Sequence, residues 1–222
     1  MNSRFGALSA DYDADLSSGW PPLPVAERGP ARPAVFIDKD GTLVENVPDN
    51  VDPAQLRFLP GALAALGGLA AAGYELLIVT NQPELALGSF GRAQFAQLQA
   101  ALLRRLQQEA GVVLQDFVVC PHAPGEAGRP ACLCRKPAPG MLLRAARMHN
   151  LDLAASWMVG DILDDIEAGR RAGCRTLLLD SGGETLWRLT PMRQPHTRCA
   201  SWDEVAAHIL HTAPAVSAVP VP

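Results

Sequence analysis

Two aspartates two residues apart, Asp38 and Asp40, stand in the run Phe36-Ile37-Asp38-Lys39-Asp40-Gly41-Thr42, where an apolar stretch gives way to a glycine that permits a tight turn. Carboxylates this close repel each other unless a proton or a cation intervenes. Oxygen ligands favour magnesium, so the pair asks for Mg²⁺ and for a phosphoryl group able to bridge it. Further along, Val79-Thr80-Asn81-Gln82 offers a hydroxyl and two amides, Lys136 a cation, and Gly160-Asp161-Ile162-Leu163-Asp164-Asp165 a second acidic cluster opening a helical pattern. Nucleophile, hydroxyl donor, cation and acidic metal ligands in that order are what phosphoryl transfer by positioning and charge neutralisation needs.

Each motif alone also has a plain structural reading. Asp40-Gly41 is a common turn, and Asp161 and Asp165 suit the first turn of any helix. All four arrive together in the chain, and a site is defined by joint geometry. Within the last cluster, Asp164 reads as a solvated first-turn acid and Asp165 as a support behind the metal site.

A second constellation lies between the amides and the acids. Cys120-Pro121-His122 and Cys132-Leu133-Cys134 bring three thiolates and an imidazole to the two ends of a Pro/Gly/Ala-rich loop, Ala123 to Ala131. Four such ligands satisfy a closed tetrahedral Zn²⁺ site, and soft sulfur selects zinc over magnesium. No position is left open for water, so the expected role is structural. The loop has almost no apolar side chains to hold it, and the ring closes at Cys134, directly before Arg135 and Lys136. Cys174 and Cys199 lack such neighbours and are expected in the core, as are Phe90 and Phe95.

Short apolar runs at 34–37, 76–79, 117–119, 157–159 and 176–179 are strand-length, and each is followed by a helical pattern, at 60–72, 92–109, 139–150, 164–172 and 202–211. Gly73, Gly111 and Gly173 suit helix C-termini. This alternation predicts an α/β fold, a Rossmann-like doubly wound parallel sheet, into which the cysteine-bearing segment is a zinc-bound loop insertion. Such sheets bind ligands at the carboxyl ends of their strands, where the residues above are placed. Residues 1–31 and 213–222 lack periodicity and are expected to be disordered tails flanking one domain at 32–212.

The net charge of -4 and the absence of any Lys/Arg-rich run argue against a nucleic-acid partner. No apolar stretch is long enough for a signal peptide or a membrane span, so the expected location is the cytoplasm. The expected state is a monomer. That compartment keeps thiols reduced, which favours metal ligation over disulfides.

D-K-D-G-T, T-N-Q, K-P and G-D-x-x-x-D resemble the four motifs of the haloacid dehalogenase superfamily of phosphotransferases, over residues 34 to 180. The resemblance implies that Asp38 attacks phosphorus and that Asp40 protonates the leaving oxygen, later activating water. It further implies that Thr80 and Lys136 hold phosphoryl oxygens beside Asn81 and Gln82, and that Asp161 completes an Mg²⁺ site with Asp38 and the Asp40 carbonyl. The run C-P-H-x(n)-C-x-C-R-K-P is similar to the zinc-loop phosphatases, which include D,D-heptose 1,7-bisphosphate and histidinol-phosphate phosphatases. That likeness implies no large cap domain. By it the substrate is a small phosphorylated metabolite, foremost the heptose bisphosphate losing its 7-phosphate, and Arg135 contacts it beyond the scissile phosphate. Where those heptose enzymes continue T-N-Q with S-G-x-A-R-G, this chain has Pro83-Glu84-Leu85-Ala86-Leu87-Gly88, and Ile162 stands where Lys is frequent.

Overall fold

The computed structural model describes residues 29–125 and 132–212. Most of the two expected tails (1–28 and 213–222), and residues 126–131 of the cysteine loop, lie outside the described residues. The elements follow in order as β1 (Ala34–Ile37), α1 (Ala62–Ala71), β2 (Glu75–Asn81), α2 (Glu84–Leu87), α3 (Arg92–Ala110), β3 (Asp116–Cys120), α4 (Gly140–His149), β4 (Trp157–Gly160), α5 (Leu163–Ala172), β5 (Arg175–Leu179), β6 (Thr197–Cys199) and α6 (Trp202–Thr212).

The six strands form one sheet in the order β3-β2-β1-β4-β5-β6, and every pairing is parallel. Alternate residues of a strand point to opposite faces, so a strand covered on both faces must be apolar throughout. In β1, Val35 and Ile37 join a core with Leu66 and Leu69 of α1, Leu102 and Leu106 of α3, and Val205 and Ile209 of α6. Ala34 and Phe36 face the other way, onto Met141, Leu142 and Ala145 of α4 and Ala168 of α5. All four β1 residues are fully buried.

Packing outweighs propensity in α1. Its Gly67-Gly68 pair costs about 1 kcal/mol per glycine relative to alanine. Leu66 and Leu69 are wholly buried, and each recovers about 1.5–3 kcal/mol.

Five strands and five helices lie where the apolar runs place them, with ends shifted by a residue or two. Two elements have no counterpart in that reading. The α2 turn spans four residues, and β6 is a three-residue edge strand, Thr-Arg-Cys, that pairs only with β5. Among the described residues no cap domain interrupts the sheet.

Candidate active site

The carboxyl end of β1 lies between β2 on one side and β4 on the other, the point where the strand order reverses and a crevice opens. The Asp38 backbone N–H continues the ladder to the Val159 carbonyl at 3.0 Å. The chain then folds tightly: Leu43 and Val44 N–H both donate to the Lys39 carbonyl, at 2.9 and 3.0 Å, and Gly41 N–H donates to Val44 O at 2.8 Å. Gly41 is required twice over. Its φ is +79°, and a Cβ there would stand 2.2 Å from Asp161 Oδ2.

This turn brings the separate motifs into one cluster. Ligand atoms of Asp38, Asp161 and Asp165, all buried, lie within 4.8 Å of one another. Lys136 Nζ donates to Asp38 Oδ1 at 2.5 Å and to the Val79 carbonyl at 2.9 Å, and lies 2.7 Å from Asp165 Oδ1. Asp165 Oδ1 has no aligned hydrogen-bond donor. Burial works against a charge on Lys136, but the Asp165 and Asp38 carboxylates overcome it and hold the ammonium above its ordinary pKa. Burial also raises Asp38, against the pull of Lys136. Asp161 is pushed up to about 6 and Asp165 to about 8, in each case first by burial.

Three buried acids share one ammonium, and burial, with repulsion from neighbouring carboxylates behind it, raises their pKa values. A divalent cation bound by carboxylate oxygen would relieve that repulsion, so the residues present fit Mg²⁺. Asp38 and Asp161 would hold the ion. Asp165 is fully buried against Lys136 and Gly160, where a Cβ would meet its own Cβ at 2.2 Å.

Asp40 turns away from this cluster. Its Oδ1 accepts from Lys39 Nζ at 2.5 Å and its Oδ2 from Gln82 Nε2 at 2.8 Å, and Gln82 Nε2 also donates to Thr80 Oγ1 at 2.9 Å. Asn81 Nδ2 donates to the Lys136 carbonyl and Asn81 Oδ1 accepts from the Lys136 N–H, both at 3.1 Å. The side chains of Asn81 and Gln82 are thus directed at Lys136 and Asp40. The Arg135 guanidinium donates to the His122 carbonyl at 3.3 Å.

The cysteine loop is anchored to the same strands. Cys120 ends β3, beside Asn81 in register. The Cys134 sulfur lies 3.3 Å from the sulfurs of Cys120 and Cys132 and 3.2 Å from His122 Nδ1, while Cys120 is 3.7 Å from Cys132 and 3.5 Å from His122. These separations sit at or slightly inside the edges, roughly 3.5–3.8 Å, of a tetrahedron built on metal bonds of about 2.0–2.3 Å. The hydrogen bond from Cys134 pulls the Cys120 thiol down to about 5, while the same bond pushes Cys134 up. Three thiols so close cannot all ionise without a cation among them, and the donor set fits zinc.

Several residues at the site are given no role by the motifs or lie outside them. Thr42 Oγ1 donates to Asp161 Oδ1 at 2.8 Å, and the Thr42 carbonyl accepts from buried Trp202 Nε1 at 2.8 Å. Ser181 Oγ donates to the Gly41 carbonyl at 2.8 Å. At Gly183 a Cβ would stand 1.8 Å from Asp161 Oδ2, so a side chain there is excluded. Glu184 Oε2 accepts from the Leu163 N–H at the start of α5. Asp164, expected to be solvated, instead pairs with Arg193, because residues 190–193 pack beside α5. Cys174, Cys199, Phe90 and Phe95 are buried as expected.

Residues 133–204 match a family model for HAD-hydrolase-like proteins. The chain is 39% identical over 161 residues to the D-glycero-beta-D-manno-heptose-1,7-bisphosphate 7-phosphatase of Haemophilus ducreyi, covering 69% of this chain and 85% of that one. It is 38% identical over 163 residues to the enzyme of the same name from Escherichia coli, covering 69% and 82%. The crystal structure of D,D-heptose 1,7-bisphosphate phosphatase from B. bronchiseptica, complexed with magnesium and phosphate, superposes with a TM-score of 0.68 at 31% identity over 81% of this chain and 98% of that one. A HAD-like phosphatase from Mesorhizobium loti gives 0.70 at 32% identity, over 84% and 90%. Agreement in sequence, in fold and over most of the length of both partners means that this chain belongs to the D-glycero-beta-D-manno-heptose-1,7-bisphosphate 7-phosphatase family of HAD-like hydrolases.

Proposed function

We propose that the protein removes the 7-phosphate of D-glycero-D-manno-heptose 1,7-bisphosphate through a phosphoryl-aspartate on Asp38. The observation that carries the chemistry is the placement of Asp38, held by Lys136 beside Asp161 at the end of β1, with a second carboxylate, Asp40, two residues on. The relatives' substrate supports the choice of sugar.

In the first step an Asp38 carboxylate oxygen bonds to phosphorus as the bond from phosphorus to the sugar oxygen breaks, and Asp40 passes its proton to that leaving oxygen. In the second step a water oxygen bonds to the same phosphorus while Asp40 takes the water's proton. The bond to Asp38 then breaks, releasing inorganic phosphate and restoring the carboxylate. Thr80 and Lys136 hold phosphoryl oxygens throughout, and Lys136 offsets charge where it accumulates. Bound by Asp38, Asp161 and the Asp40 carbonyl, Mg²⁺ would supply neutralisation of the phosphoryl oxygens. Arg135 reaches the substrate beyond the reacting phosphate, with Asn81 and Gln82 lining the approach.

Cys120, His122, Cys132 and Cys134 would hold zinc, which would fix the loop that carries Arg135 and Lys136. The Arg135 N–H, 3.2 Å from Cys132 Sγ, is the direct link between the two. No helix among the described residues is long and apolar enough to cross a membrane, and the acidic charge suits a small-metabolite enzyme of the cytoplasm acting as a monomer without nucleic acid.

Phosphate release from a panel of substrates, with phosphorus NMR on the heptose bisphosphate, tests this reading. We expect the 7-phosphate signal to vanish first and kcat/KM to exceed that for histidinol phosphate by orders of magnitude. The reverse ranking would overturn the substrate assignment.

A further inference from the structure

Gln82 touches both halves of the proposed chemistry. It is buried, and its backbone N–H donates to the Cys120 carbonyl at 2.8 Å, which pins it to β3. The side-chain amide turns its nitrogen, not its oxygen, to Asp40 Oδ2, an oxygen that accepts in the carboxylate and, as the carbonyl oxygen, in the protonated acid as well. That nitrogen has two hydrogens and two acceptors in reach, Asp40 Oδ2 at 2.8 Å and Thr80 Oγ1 at 2.9 Å. With its oxygen accepting from Gln82, the Thr80 hydroxyl has its one proton left to donate elsewhere. The other Asp40 oxygen is taken by Lys39 Nζ, from the same loop as Asp40 itself. The brace from outside that loop is Gln82.

We propose that Gln82 is a positioning residue that aims the Asp40 carboxyl at the leaving oxygen and turns the Thr80 hydroxyl proton toward the phosphoryl group. This rests on the reading of Asp40 as the acid in the first step. A sugar leaves as an alkoxide and needs a proton, whereas p-nitrophenolate is stable without one, so loss of aim at Asp40 must penalise the sugar phosphate selectively. Loss of the Thr80 contact falls on both substrates alike.

The test compares kcat/KM, which reports steps through phosphoryl transfer, for the heptose bisphosphate and p-nitrophenyl phosphate in Gln82→Met, whose side chain has nearly the same length and no donor. Asp40→Asn is measured alongside. We expect Gln82→Met to lose roughly 100-fold on the sugar phosphate, at the lower end of what a general acid contributes, and less than about 10-fold on the aryl ester. Equal losses on the two substrates, or no loss, would overturn the proposal. If Asp40→Asn separates the two substrates and Gln82→Met does not, the role of Gln82 fails alone. If Asp40→Asn does not separate them, the acid assignment fails and this inference with it. Should Gln82→Met not fold, Gln82→Asn, which keeps the amide but withdraws it by one methylene, must show the same selective loss.

Discussion

Asn81 grips the Lys136 peptide from both sides, accepting its N–H and donating to its carbonyl, each at 3.1 Å. The contact joins the end of β2 to the loop after β3 and fixes the backbone from which the Lys136 ammonium reaches Asp38. Asn81→Ala leaves both peptide groups without a protein partner, so we expect a loss of about 1–3 kcal/mol in urea unfolding. Turnover should fall together with it, and a variant as stable and active as the wild type would show the grip to be incidental.

Asp38→Asn keeps the volume of the side chain and removes its nucleophilic charge. Turnover should drop to background while the fold, read by circular dichroism, is retained. Mass spectrometry of the quenched wild-type reaction should find the phosphoryl group on Asp38 and none in the variant.

Cys132→Ser removes one of four soft ligands and the sulfur facing the Arg135 N–H. The purified variant should hold much less than one equivalent of zinc, where the wild type holds close to one, and should melt at a lower temperature. Activity falls because Lys136 follows directly on this loop.

The carboxyls of Asp161 and Asp165 keep their protons to about pH 6 and about pH 8 in the folded chain, against an ordinary value of 3.8. Between those limits the folded state binds more protons than the unfolded state. Stability of the magnesium-free protein is therefore fully present below about pH 3.8 as far as these two groups are concerned, and is lost as pH rises through about 6 and then about 8. Added Mg²⁺ removes the penalty, so its effect on the melting temperature should grow across that range. Asp161→Asn should flatten the lower part of the profile.

Leu87, two-thirds exposed at the end of α2, stands where the likeness to the heptose phosphatases leads us to expect an arginine, and Glu84 opens the same turn. A guanidinium there can pair with a second phosphate through charge-assisted hydrogen bonds, and a carboxylate facing it repels. The bisphosphate should therefore show a raised KM with kcat little affected. Leu87→Arg should lower KM for the bisphosphate and leave monophosphates nearly unchanged, which steady-state kinetics on both would reveal.

Asp38, Thr80 and Asp161 were legible because each follows an apolar run and the carboxyl ends of parallel strands converge, while Lys136 was legible from its place after the cysteine loop that follows β3. The cysteine cluster was legible from spacing alone. The sequence was silent on where amides point: Asn81 and Gln82 find partners 55 and 42 residues away, and a side chain amide suits a substrate as well as a protein partner. Gly183, in Ser181-Gly182-Gly183, looks like any turn until Asp161 Oδ2 is found occupying the space of its missing Cβ. Thr197-Arg198-Cys199 forms β6 because β5 offers an open edge, and nothing in three mixed residues signals it.

Trp202 reaches back across 160 residues to the Thr42 carbonyl, and the Thr42 hydroxyl in turn holds Asp161. A ribosome releases Asp38, Thr80 and Lys136 well before it adds this tryptophan. Contacts of such sequence separation form late, when a domain closes as a unit. Until α6 has emerged and docked, the loop that carries the two aspartates lacks one of its buried donors. A chain stalled short of that helix would hold every reactive side chain but lack this buried support beneath Asp161, so full hydrolytic competence waits for α6 to dock.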